Sequence, residues 1–140
     1  MLWIHPFIQA VATLLALLVL YQGYVRFMFA HFKKKGAFPW KKHVNYGLIT
    51  MTLWITGVAL GVFMTHTYWS VIGVTEWHYY IGLGMIPGGL FGIITGLIMD
   101  KIKKRRKVLP LLHGVNNFIL VLCALYQFYS GIEVIRTFLL

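Results

Sequence analysis

Residues 76–107 read EWHYYIGLGMIPGGLFGIITGLIMDKIKKRRK. No charge falls between Glu76 and Asp100, and the basic run from Lys101 to Lys107 follows at once. A helix on the surface of a soluble domain interleaves charges with apolar residues. Here they are withheld over a helical length of roughly 35 Å, enough to cross a hydrocarbon core of about 30 Å. Three further stretches behave in the same way, so the predicted spans are Leu2–Ala30, His43–Tyr68, Glu76–Asp100 and Leu109–Leu139. Of 140 residues, 59% are hydrophobic and only 11% charged, and the mean hydropathy is +0.75. These values place the chain among polytopic membrane proteins. The expected fold is all-α: one antiparallel four-helix transmembrane bundle over residues 1–140. The first span lacks a basic leading region, and its apolar run is too long for a cleaved signal peptide, so it is expected to be retained.

The net charge of +10 would suggest nucleic acid in a soluble protein, but its distribution points elsewhere. Of thirteen Lys and Arg, Lys33, Lys34, Lys35, Lys41 and Lys42 lie in the first loop. Lys101, Lys103, Lys104, Arg105, Arg106 and Lys107 lie in the third, and Arg26 is at the same end of the first helix. The middle loop, from Thr67 to Trp77, has none. This asymmetry predicts cytoplasmic basic loops, with both termini and the middle loop outside (N-out/C-out), in a membrane of the bacterial inner type. The expected contact of the basic loops is anionic lipid, not nucleic acid. Cys123 is the single cysteine, so no disulfide forms within the chain and no C-x-x-C-H haem attachment motif exists.

Each apolar stretch begins near a histidine and has a glycine eighteen residues after it: His5 with Gly23, His43 with Gly61, His78 with Gly96, and His113 with Gly131. Eighteen residues is five helical turns, so histidine and glycine share a face about 27 Å apart along the axis. An imidazole at one end of a face and a missing side chain at the other suits two flat, bulky ligands at opposite depths, and haem fits that description. Alternate helices of an antiparallel bundle lie diagonally opposite. His5 and His78 are therefore expected to face one another in the outer half, and His43 and His113 in the inner half. Two neutral imidazoles on opposite sides suit the axial positions of one low-spin haem iron. Gly61 and Gly131 would flank the outer haem, Gly23 and Gly96 the inner one, each giving a porphyrin edge close access to backbone.

The remaining polar residues are open to more than one reading. His31 precedes three lysines and reads as interfacial. His66 is about 35 Å along the helix from His43, which makes it a rim residue near a propionate or substrate, and the rival of His5. Glu76, two residues before His78, is with His66 a candidate quinone and proton residue; the alternative is that it neutralises a helix N-terminus. Arg136 is expected to pair with Glu133 or a propionate. Gln9, Asn116 and Asn117 lie one turn after histidines, and either orient an imidazole or bond neighbouring helices. Gly88, Gly92 and Gly96 form a small-xxx-small row that also serves helix packing.

The segments His5-Pro6, Lys42-His43-x-x-x-Gly47, Trp77-His78-Tyr79-Tyr80-x-Gly82 and Leu112-His113-Gly114 resemble the four-helix core of cytochrome b561-type membrane proteins. They look closest to a small bacterial and plastid group that opens with His-Pro. The resemblance covers nearly the whole chain. It implies two haem b groups, ligated by His5 with His78 and by His43 with His113, passing electrons across the membrane. Ascorbate-linked members have six helices, and this chain has four spans and no evident ascorbate-binding Lys or Arg outside, so the resemblance favours a quinol. The expected function is a b-type cytochrome subunit linking a quinone/quinol pool to a partner redox protein, within a membrane complex with other redox subunits. The alternative is a haem-free membrane anchor for a peripheral enzyme. A histidine-based channel is a third reading, but the spans lack ionisable groups near mid-membrane.

Overall fold

A computed structural model describes residues 2–140. Four helices account for most of them: α1 (Ile4–Phe32), α2 (Trp40–Trp69), α3 (Trp77–Lys101) and α4 (Val108–Phe138). All four are long and apolar enough to cross a membrane, and they form an antiparallel bundle. The bounds differ from the sequence expectation by up to three residues. The largest shift is at α2, which begins at Trp40 because Pro39 stands at its N-cap and the His43 N–H already bonds the Pro39 carbonyl at 2.9 Å. His43 therefore lies one turn inside its helix. α1 and α2 end on residues in the left-handed conformation, Lys33 (φ 54°) and Ser70 (φ 55°). The Lys33 N–H bonds the Met28 carbonyl five residues back, and the Ser70 N–H bonds the His66 carbonyl four back, which satisfies carbonyls the helix ends would leave open.

The helices contact in a ring: α1 with α2, α2 with α3, α3 with α4, and α4 with α1. α1 and α3 make no backbone contact, nor do α2 and α4, among the described residues. These are the diagonals that short antiparallel connections dictate. The register within each neighbouring pair is regular. Along α1 and α2, Gly23 faces His43, Gly47 faces Val19, Gly57 faces Gln9 and Gly61 faces His5. Along α3 and α4, Gly96 faces His113, Gly92 faces Asn117, Gly88 faces Leu120, Gly82 faces Gln127 and Gly131 faces His78. The glycines are thus the points where one helix accepts a side chain of the next, as small residues do in membranes.

The core is short and central. Ala12 and Ala16 of α1 are buried with Met51 and Trp54 of α2, Met85 of α3, and Leu120, Val121 and Ala124 of α4. Most other large apolar side chains point outward, such as Phe7, Leu14 and Tyr21 on one stripe of α1. Such exposure is prohibitive in water and ordinary against lipid. Pro87 sits inside α3. A proline there removes a backbone donor, and membrane bundles tolerate this because neighbouring helices satisfy the freed groups. The basic loops lie at one end, where the Lys103 ammonium stands 3.8 Å over the Trp40 ring and ties the third loop to the start of α2.

Candidate functional site

The two diagonals carry the histidines. His5 on α1 and His78 on α3 have ring centroids 6.3 Å apart, with planes at 78°. His43 on α2 and His113 on α4 have centroids 6.4 Å apart, with planes at 64°. The helices bearing each pair make no backbone contact of their own, so the rings reach across the bundle. The pairs occupy opposite ends. Five turns of α2 separate His43 from Gly61, which abuts His5, so about 27 Å of helix lies between the two levels.

Both separations match two imidazoles sharing one metal ion. A nitrogen–metal distance of about 2.0–2.1 Å on each side, plus the ring nitrogen-to-centroid distance, gives roughly 6.3 Å. Edge-to-face aromatic contacts also fall in this range, so the hydrogen bonds matter. The His5 Nδ1–H donates to the Gly57 carbonyl at 2.8 Å. His78 Nδ1 lies 2.9 Å from Ser130 Oγ; the serine hydroxyl donates onward to the Gln127 carbonyl, leaving its oxygen to accept from the ring. His113 Nδ1 bonds Thr95 Oγ1 at 2.9 Å in the same sense, because the threonine hydroxyl is spent on the Phe91 carbonyl at 2.7 Å. In all three rings the proton is anchored on Nδ1, which makes Nε2 the lone-pair nitrogen. This is the arrangement of a metal-ligating histidine oriented by a second partner. His43 is the exception: its Nδ1 is buried without a hydrogen-bond partner.

The four paired glycines stand beside these rings. A Cβ on Gly61 would lie 3.1 Å from His5 Cε1, on Gly131 3.3 Å from His78 Cε1, on Gly96 3.4 Å from His113 Cε1, and on Gly23 3.6 Å from His43 Cε1. Each glycine thus meets the edge of the imidazole borne by its hairpin partner. A side chain there would tilt the ring. The donor set, its fixed tautomer and the glycine cradle are together compatible with a bis-histidine haem at each level. Among the described residues no three of His, Cys, Asp and Glu gather around one point, so each level offers two protein donors.

The amides divide. Asn117 Nδ2 donates to His113 Nε2 at 2.9 Å. Asn116 donates to the Gly88 carbonyl and to Asn117 Oδ1, each at 3.0 Å. Gln9 donates to the Leu53 carbonyl at 3.3 Å and lies against Gly57, so it joins helices and does not touch an imidazole. Ser130 and Thr95 were not among the sequence candidates. Their signal was present: each immediately precedes one of the paired glycines, 131 and 96.

His66 and Glu76 lie outside both pairs. His66 ends α2 and is the one polar residue lining an apolar groove of about 540 Å³ between α2 and α3, with Val58, Val62, Phe63, Ile72 and Leu83 among its walls. Glu76 is exposed, at the N-cap of α3 with φ 47°, and its side chain makes no capping bond. Arg136 pairs with Glu133 at 3.0 Å on the exposed surface, and His31 falls in the last turn of α1. Comparison of the chain with family models, curated proteins and solved structures returns no match.

Proposed function

We propose that this four-helix membrane protein is a di-haem b-type cytochrome subunit that relays electrons across the membrane between a quinol/quinone pool and a partner redox protein. His5 and His78 would hold one haem, and His43 and His113 the other. The observation that carries the reading is the pair of diagonal imidazole couples, 6.3 and 6.4 Å between centroids, at opposite ends of one bundle. Bound haem supplies reversible one-electron chemistry, with the axial ligands and their hydrogen bonds setting its potential. The protein's part is ligation, orientation and exclusion of water. Gly57, Ser130 and Thr95 hold three rings in a single tautomer, and the glycines keep the neighbouring helices from displacing them.

The apolar groove between α2 and α3 is the site we assign to the lipid-soluble carrier, and His66, its one polar lining residue, can accept the protons a quinol releases when oxidised. The basic loops favour the cytoplasmic side for the His43–His113 end and the opposite side for His5–His78, in a bacterial-type inner membrane. The apolar outer helix faces leave room for further redox subunits.

Protein purified from cells with ample haem supply should contain about two non-covalent haems per chain by pyridine haemochrome analysis, with low-spin spectra before and after reduction. Haem-free protein from such cells would refute the reading and leave the membrane anchor.

A further inference from the structure

The two histidine pairs are not equally ready for a ligand, and one residue makes most of the difference. At the His5–His78 level both Nδ1–H groups are engaged, by Gly57 and Ser130. Neither Nε2 there has a hydrogen-bond partner among the described residues. At the His43–His113 level the lone pair of His113 Nε2 accepts a hydrogen bond from Asn117 at 2.9 Å. Asn117 is itself held, since its Oδ1 accepts from Asn116 and Asn116 also grips the Gly88 carbonyl. Gly92 makes the room: a Cβ there would meet Asn117 Oδ1 at 2.7 Å. On the other side of the level, His43 Nδ1 and Gln22 Oε1, one residue before Gly23, are buried without partners. The corresponding amide at the other level, Gln9, is also four residues after its histidine, yet it bonds the Leu53 carbonyl and leaves the ring alone.

Resting on the di-haem reading, we propose that Asn117 is a positioning residue that competes with iron for His113 Nε2, so that the two levels fill in order: His5–His78 first, His43–His113 second. A metal can take that lone pair only after the Asn117 N–H has let go of it. The freed amide, still tethered through Asn116, must then find another acceptor or stay unsatisfied. One exchanged hydrogen bond of this kind changes affinity by up to about tenfold. The consequence is a protein whose second haem is the exchangeable one, and whose single-haem form is an intermediate of assembly.

The test is a haemin titration of haem-free protein in lipid nanodiscs, followed by Soret absorption. Wild type is titrated beside two versions with one level each: His5→Ala/His78→Ala, and His43→Ala/His113→Ala. The His43–His113 level should bind about tenfold more weakly than the other. Asn117→Val, placed in the His5→Ala/His78→Ala background, should tighten it several-fold. A residue that only packed the bundle would shift affinity the opposite way on truncation. Gln9→Val in the His43→Ala/His113→Ala background, which removes the amide at the corresponding position, bonded to the Leu53 carbonyl and not to a ring, is the structural control and should give no tightening. In otherwise wild-type protein, Asn117→Ala with its first haem intact shows that the bundle folds. Equal affinities at the two levels, or weaker binding in Asn117→Val, would overturn the proposal and leave the di-haem reading standing. No haem bound at either level of wild type would overturn the reading and the proposal together.

Discussion

Replacing Gly61 by alanine puts a methyl carbon 3.1 Å from Cε1 of His5, 3.4 Å from Nδ1 and 3.6 Å from Nε2. Carbon atoms settle at about 3.5–4.0 Å, so the ring must retreat by roughly half an ångström. It is not free to do so, because its Nδ1–H is held at 2.8 Å by the Gly57 carbonyl, four residues before Gly61 on the same helix. Overpacking of this kind costs about 1–3 kcal/mol, which is roughly 5- to 150-fold in affinity for a ligand that needs the ring in place. The cost should fall on the His5–His78 haem, although Gly61 belongs to the helix that carries His43. The matched control is Gly114→Ala, where an added Cβ meets nothing within 4 Å, so the better helix propensity of alanine, about 1 kcal/mol, acts alone. The same Cβ distances set an order of sensitivity to alanine: Gly61 at 3.1 Å, Gly131 at 3.3 Å, Gly96 at 3.4 Å and Gly23 at 3.6 Å, with the last nearly neutral. Haem titration of the single-level proteins reads each effect at its own level. If Gly61→Ala weakened the His43–His113 haem alone, or behaved like Gly114→Ala, glycine would be serving helix packing and the cradle argument would fail.

The ligand assignment makes a second prediction: His43→Ala or His113→Ala should remove one haem and leave the other spectrally intact, and His5→Ala or His78→Ala should do the reverse. Loss of a haem from His66→Ala, with none lost from His5→Ala, would reassign the outer ligand. Ser130→Ala and Thr95→Val remove the acceptors of the His78 and His113 Nδ1–H groups, so each should weaken haem at its own level by up to about tenfold, measured by titration; equal effects on both levels would point to general destabilisation. In protein with normal haem content, His66→Gln should slow reduction by a quinol while Glu76→Gln, at an exposed side chain that makes no capping bond, should change it less; unchanged rates in both would move the search to the opposite face.

Much of the architecture was legible along the chain. Four uncharged runs of spanning length require helices, because a backbone in lipid must satisfy its own hydrogen bonds. Helix count, the diagonal arrangement and the shared helix face of each histidine and the glycine eighteen residues on follow from that and from a periodicity of 3.6 residues, which are local properties of sequence. Five turns bring residues 18 apart back to one face whatever the neighbouring helices do. The middle loop without Lys or Arg and the two basic loops that flank it in sequence are legible in the same way.

The tertiary structure decided what each polar atom does. His5 and Gly57 are 52 residues apart, as are His78 and Ser130, so these bonds depend on how far one helix slides along its neighbour. Gln9 and Asn117 occupy the same position relative to their histidines, four residues on, yet one bonds a backbone carbonyl and the other a ring nitrogen. No local pattern separates them. What does is the groove each meets on the adjacent helix, Gly57 for Gln9 and Gly92 for Asn117. The glycines show the same division of labour. Their face was set by the helical repeat, whereas their part in seating the neighbouring imidazole edge comes from the packing of one helix on the next, where a single Cβ is enough to move a ring.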